Sequence, residues 1–353
     1  MEQIVLSQKE RLISILKREP TDRRTFISPG GTMSMGTIEV MEKTDCYLPE
    51  AHSDAEKMAK LAMAANRLTS AENIGIPFCT TVEAEAMGAT VDLGTKEDRP
   101  RVVAYAIENI DDLGSLSPID INSGRTKVCI EAIKIIKRKV SGVPIIANLV
   151  GPVTLATLLV ESAIFADAVQ NNKDSAHNLL KFAVENLIRF GYAMLEAGAD
   201  IVCVSETAAT FKAIDRTDFE EFVLPYANEM AEHFRDAFGA QSIIYFCGDF
   251  CGDIARFGDA LSSISAEAIG FDSTVDVKAI KVLAKCKAIM GNVNTALLER
   301  EEPNAVFRAG MQSLISGVDI LAPSCSVSLR TPIANARSLI HAVMRSDPPA
   351  PCC

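Results

Sequence analysis

The stretch Leu187-Ile188-Arg189-Phe190-Gly191-Tyr192-Ala193-Met194-Leu195-Glu196-Ala197-Gly198-Ala199-Asp200-Ile201-Val202-Cys203-Val204 decides the fold. Its first half ends a helix in which Leu180, Val184, Leu187, Ile188, Gly191 and Leu195 recur on one face at helical spacing. The helix stops at Gly198, because glycine enters the left-handed backbone of a helix C-cap without a Cβ penalty. Strand follows at once: Ile201 to Val204 is an unbroken apolar run, the signature of a parallel strand buried on both faces. Helix, glycine turn and buried strand make up one αβ step. Ser141-Gly142-Val143-Pro144 and Ser316-Gly317-Val318-Asp319 are turns of the same kind before other strands.

Working outward, the same step recurs along the chain. Eight short apolar runs read as strands, centred on Phe26-Ile27, Ile76-Pro77-Phe78, Pro144-Ile145-Ile146-Ala147, Ile201 to Val204, Ile243-Ile244-Tyr245-Phe246, Ala268-Ile269-Gly270-Phe271, Ala288-Ile289-Met290 and Ile320-Leu321-Ala322. Eight alternating units predict an α/β chain folded as a single (β/α)8 TIM barrel with an N-terminal helical extension. The alternative is an open doubly wound sheet. Its nucleotide-binding forms carry a Gly-rich first turn, and Gly30-Gly31 lacks that spacing. The barrel is expected to span residues 1–346 as one domain, with 347–353 a Pro-rich frayed tail. Between the first two strands, Thr32 to Asn73 is too long for a simple loop. It contains a predicted helical stretch, Asp54 to Asn66, and is expected to form a cap segment over the barrel mouth.

Composition narrows the function. The 353 residues carry a formal charge of −11, with 35 Lys+Arg against 46 Asp+Glu, which disfavours a nucleic-acid groove. Hydrophobic residues at 48% and charged residues at 23% are those of an ordinary globular protein. Met1 to Arg18 shows no signal-peptide pattern, and the apolar stretch Val143 to Val160 is split by Asn148 and Gly151-Pro152. The protein is therefore expected to be soluble and cytoplasmic. There its ten cysteines favour buried thiols or metal ligands over disulfides.

In a barrel, working residues come from the C-terminal ends of the strands. That places Gly30-Gly31, Cys79-Thr80-Thr81, Asn148, Ser205-Glu206, Cys247-Gly248-Asp249, Asp272, Asn292 with Asn294, and Ser324-Cys325-Ser326 at the mouth. Soft thiolates converging there suit zinc, which activates a bound substrate thiol near neutral pH. Cys247 and Cys325, 78 residues apart and each after a predicted strand, are the leading pair.

Several motifs carry a family resemblance over nearly the whole chain. They are Pro49-Glu50-Ala51-His52 followed by Asp54, Thr81-Val82-Glu83-Ala84-Glu85-Ala86-Met87-Gly88, Gly151-Pro152-Val153-Thr154-Leu155-Ala156, Phe219-Glu220-Glu221-Phe222-Val223-Leu224-Pro225-Tyr226 and Leu321-Ala322-Pro323-Ser324-Cys325. With them the chain resembles the uroporphyrinogen decarboxylase-like barrels, and among these the cobamide-dependent methyltransferases typified by methylcobamide:coenzyme M methyltransferase. The resemblance implies a zinc site built from a His-x-Cys pair and a later cysteine. Cys247 and Cys325 fill the cysteine places, and Tyr245 stands in the histidine place. Cys251, Asp272 or Glu206 would then complete the metal shell.

The resemblance also implies methyl transfer between a methyl-corrinoid and a small acceptor or donor. No Asp-x-His-x-x-Gly corrinoid motif occurs, so the corrinoid is expected on a partner protein. Glu206, Asp272 and His52 are the candidate catalytic groups, His52 as a proton carrier or a partner of the corrinoid. Gly30, Gly31, Asn148 and Tyr245 are candidates to face the cofactor. Two other readings stand beside this one. A decarboxylase would need arginines after the first strand, where Ser28-Pro29-Gly30-Gly31-Thr32 has none, and Arg23 and Arg24 precede that strand. A metal-free module that only binds a corrinoid protein is the third.

Overall fold

Residues 5–209, 215–248 and 257–349 are described by a computed structural model. All eight expected strands are present: β1 (Thr25–Phe26), β2 (Ile74–Ile76), β5 (Ile145–Val150), β6 (Ile201–Glu206), β7 (Gln241–Phe246), β8 (Ala268–Gly270), β9 (Ala288–Val293) and β10 (Ile320–Pro323). Two more, β3 (Thr90–Asp92) and β4 (Arg101–Ala104), form a separate antiparallel hairpin. The sequence reading missed this hairpin because its residues are mostly exposed and make no apolar run. The second strand starts two residues earlier than its expected centre. Pro77 has no N–H to give the ladder, so pairing ends at Ile76.

The eight strands run parallel in the order β1-β10-β9-β8-β7-β6-β5-β2. The two outermost are joined by side chains and two loop bonds, one of them from Gly31 N–H to the Pro77 carbonyl (2.8 Å). Glu72 N–H donates to the Phe26 carbonyl (2.7 Å), while Asn73 accepts from Ser28 N–H (2.7 Å) and donates to the Ser28 carbonyl (2.8 Å). The Asn73 amide thus stands in for a missing rung of the ladder. Arg11, Arg23 and Thr25 converge on the Glu72 carboxylate, and this network closes the barrel seam.

The N-terminal helix Gln8–Leu16 starts with a capping box between Ser7 and Glu10. Its buried Leu12, Ile15 and Leu16 pack with Ile27, Ile146, Ile201, Ile243 and Ile320 inside the barrel, so the extension plugs the end opposite the mouth. Arg18 and Lys9 fix it there by ion pairs to Asp319 and Asp200, which precede β10 and β6.

The expected cap segment is corrected by the structure. Its helix, Ala55–Thr69 with Asp54 as N-cap, packs against helices Gly124–Lys139 and Ile333–Val343 in the outer ring of the barrel. The reason is its wide apolar face: Met58, Ala59, Leu61, Ala62 and Ala65 are all buried, more than a helix over a mouth would hide. At the strand ends lie instead the turn at Gly30-Gly31, packed on Asn148, and His52, beside Phe78 and Cys79 after β2.

Candidate active site

Cys247 follows β7, Asp272 follows β8 and Cys325 follows β10, so barrel closure brings three donors to one point at the mouth. Their sulfur and carboxylate ligand atoms all lie within 4.8 Å of one another. The Cα atoms of Cys247 and Cys325 are 5.8 Å apart, and the two sulfurs are joined as a disulfide. Cys286 is also oxidised. This corrects the expectation of free thiols: side chains aimed at one point from two strands are within bonding reach of each other. A disulfide and a metal-binding thiolate pair are alternative states of the same residues, separated by two electrons. Cys251 and Asp249 lie outside the described residues.

Tyr245 sits two residues before Cys247, its ring 1% exposed in the barrel core. The phenol donates to the backbone carbonyl of Ser324, the residue before Cys325. Burial, and then Asp272 and Cys203, hold it far above the usual phenol range, so it is a neutral donor. The ring has room because the facing residue is Gly270, where a Cβ would come within 2.7 Å of it.

Glu206 is not brought to the cysteines. Its carboxyl accepts from the amides of Val153 (2.8 Å) and Thr154 (3.2 Å), at the N-terminus of helix Pro152–Leu159. Complete burial raises it to about 8, against the lowering effect of those donors. Asn148 donates to the Ser205 hydroxyl (3.1 Å), and the Gly30-Gly31 turn lies directly on it. Both glycines have positive φ, and a Cβ at Gly31 would fall 2.4 Å from the Asn148 amide oxygen. The structure therefore brings Gly30, Gly31 and Asn148 together as a packed floor beside the strand ends.

His52 is buried away from the Cys247–Cys325 pair, beside Cys79. Around that thiol lies a cluster whose members the sequence did not connect. Arg125 reaches the Cys79 sulfur at 3.2 Å, and the Thr81 hydroxyl reaches it at 3.5 Å. Arg125 is held in turn by Glu85 (2.5 Å) and the Thr81 carbonyl (3.0 Å). Burial alone would raise the Cys79 thiol, but His52, Arg125 and Thr81 outweigh it and bring the group to about 6. Glu83 is buried next to them, accepting from Val150 N–H (3.0 Å), and burial raises its carboxyl to about 7. The sequence signal was partial: Cys79 was on the list of mouth residues, but Arg125 comes from a helix 46 residues further on.

Arg99, just before β4, was also missed. Its guanidinium donates to the carbonyls of Phe78 (3.0 Å) and Val327 (2.6 Å), tying the loops after β2 and β10 together near Cys325. Burial lowers it to about 10.

These features define a class of protein: a (β/α)8 barrel with ionisable and sulfur side chains gathered at the C-terminal strand ends. The sequence pattern of the family described as "Uroporphyrinogen decarboxylase (URO-D)" matches residues 7–346, and the chain belongs to that family. Within it, the chain is 30% identical to the methylcobamide:CoM methyltransferase MtbA of Methanosarcina mazei, over 94% of this chain and 96% of that one. It is also 30% identical to MtaA of Methanosarcina barkeri, with 95% and 96% covered. A uroporphyrinogen decarboxylase from Myxococcus xanthus is 25% identical over 83% of this chain and 84% of its own. A solved methyltransferase structure from Methanosarcina mazei superposes with a TM-score of 0.87 at 29% identity, covering 96% of this chain and 99% of that one. The protein is an enzyme of the methyltransferase branch of the family.

Proposed function

We propose that this enzyme moves a methyl group between a methyl-corrinoid, carried by a separate protein, and a small acceptor or donor, with zinc held by Cys247, Cys325 and Asp272. The observation that carries the reading is the convergence of those three donors within 4.8 Å at the mouth. It occurs in a chain similar end to end to enzymes named for methylcobamide and CoM. Two sulfurs and one carboxylate fit zinc and leave a fourth position for a substrate atom. Zinc bound there would act as a Lewis acid, lowering the pKa of a substrate sulfur or oxygen.

The chain's own residues do the positioning. Tyr245 fixes the turn that carries Cys325 through the Ser324 carbonyl, and Arg99 fixes the other side of that turn through Val327. Asp272 brings a carboxylate oxygen to the sulfurs, and the buried Gly30-Gly31 turn packs on Asn148 and shapes the strand ends beneath the mouth. Reduced thiols are required, which suits a cytoplasmic enzyme. The decarboxylase reading gains nothing from the arginines near the first strand. Arg23 is spent on Glu72, and Arg24 is half-buried near Asp319, at the end away from the mouth.

Two measurements test the reading. Protein reduced and then dialysed against zinc should retain about one ion per chain, and Cys247→Ala or Cys325→Ala should retain almost none. The same protein, offered methylcobalamin and a panel of thiols, should bleach the methyl-cobalt absorbance, and both variants should fail to do so. Zinc retention near zero in the reduced wild type would remove the metal from the proposal. No spectral change with any acceptor, and none in reverse with methylated donors and reduced cobalamin, would overturn the transfer itself.

A further inference from the structure

The cluster around Cys79 has no part in the proposed transfer, yet it is built with as much care as the site at the mouth. Three side chains from three separate segments surround one sulfur: His52 from the short helix Glu50–His52, Thr81 from the loop after β2, and Arg125 from helix Gly124–Lys139. Arg125 and Thr81 place donors 3.2 and 3.5 Å from it. His52 is 1% exposed and stands against the Cys79 thiol, and among the described residues neither of its ring nitrogens has a partner in good hydrogen-bonding geometry. The Glu83 Oε2 atom, also buried, has none either. Buried polar atoms without partners are rare, because each loses its hydrogen bonds to water and gains none in return. Here they gather beside one nucleophilic sulfur, which marks a place for a small polar guest.

We propose that Cys79 is a peroxide-reactive thiol, oxidised by a hydroperoxide of about the size of hydrogen peroxide to a sulfenic acid, with Thr81, Arg125 and His52 as its working partners. The sulfur attacks one peroxide oxygen, so that an S–O bond forms and the O–O bond breaks. The proton given up by the thiol rests on His52 and passes to the departing oxygen, which leaves as water, or as an alcohol from an organic hydroperoxide. Cys79 is oxidised by two electrons and the peroxide is reduced by two. Arg125 and the Thr81 hydroxyl stabilise the negative sulfur before attack and the negative oxygen during it. Cys79 is only 2% exposed, which holds off bulky thiol reagents and restricts the oxidant to a small hydroperoxide.

The pH profile follows from the groups that face the sulfur. His52, Arg125 and the more distant Arg99 favour its negative form, Glu85 acts through Arg125, and Glu83 and Cys129 lie in the same field. With the thiol at about 6, reactivity should rise through that pH. It should level off near 7, where Glu83 becomes negative and begins to oppose the sulfur's charge.

The test uses the full chain, reduced and freed of reductant, exposed briefly to hydrogen peroxide. The reaction is quenched with catalase into denaturant holding a 1,3-diketone trap, and labelling is read peptide by peptide by mass spectrometry. Cys79 should be labelled at least about tenfold faster than the equally buried Cys129 and Cys203 at neutral pH, since both of those are raised by burial. Its rate should rise about tenfold across the acid limb centred near pH 6, and iodoacetamide on the folded protein should show no such preference. Thr81→Val, checked for native circular dichroism, should slow the reaction several-fold, and His52→Gln should move the midpoint upward. Labelling of Cys79 no faster than Cys129 and Cys203, or a rate flat with pH in the wild type, would overturn the proposal without need of any variant.

Discussion

Tyr245 and Cys247 point to the same side of the chain because alternate residues along β7 share a face, and that face is the barrel interior. The family resemblance reserves the first position for a histidine, and the structure shows what the tyrosine does instead: it holds the carbonyl that precedes Cys325. Two consequences of opposite sign follow for Tyr245→His. A ring nitrogen would join the sulfurs, so competition with a chelator should show tighter zinc binding. The Ser324 carbonyl would lose its donor in a buried place, so the urea midpoint should fall by the equivalent of about 1–3 kcal/mol. Tyr245→Phe should show the second effect alone, with zinc affinity unchanged or lower. Equal stability of Phe and Tyr at this position would mean that the phenol does not tether the turn.

Helix Pro152–Leu159 begins where β5 ends, and its first amides are satisfied by Glu206 from the neighbouring strand. Gly151 makes this possible, since a Cβ there would lie 1.5 Å from a Glu206 carboxyl oxygen. Gly151→Ala should therefore displace the carboxyl or the helix and cost about 3 kcal/mol or more by chemical denaturation. Glu206 also sets a pH dependence. Its folded value of about 8 lies above the ordinary 4.5, so the folded state binds more protons than the unfolded one between those limits. Its contribution to stability is full below about 4.5 and is lost as pH rises through 8. Glu83, at about 7, acts in the same direction over a narrower window. Glu206→Gln keeps the shape without the ionisation, so denaturation midpoints of this variant should decline less from pH 5.5 to 8 than those of the wild type. Parallel declines would show that Glu206 is not the source.

Across the whole molecule, the barrel depends on a seam that has no ladder of its own. Glu72 receives two buried or half-buried arginines, a threonine hydroxyl and, through its own amide, the first strand. Replacing it with glutamine leaves Arg11 paired to Asp22 alone and takes the carboxylate from Arg23, a loss expected to cost about 3 kcal/mol. Hydrogen exchange is the sharper measurement: in Glu72→Gln the amides of Phe26, Ile27 and Glu72 should lose protection before those of β6 and β7. Uniform loss over all strands would show that the seam is no weaker than the rest of the barrel.

The sequence by itself determined the eight parallel strands, the glycine turns between helix and strand, the barrel rather than a doubly wound sheet, and the placement of Cys247, Asp272 and Cys325 at the strand ends. All of these follow from local periodicity and from the rule that strand C-termini share one end, so no long-range distance is needed to read them. Only the tertiary structure decided that Tyr245 bonds a carbonyl 79 residues away, that Arg125 meets Cys79, that Glu206 turns to a helix instead of the cysteines, and that the helix after Asp54 belongs to the outer ring. The physical reason is the same in each case. Which side chains meet depends on how the barrel closes and tilts, and closure is set by the sum of many contacts, none of which is written into the residues that end up side by side.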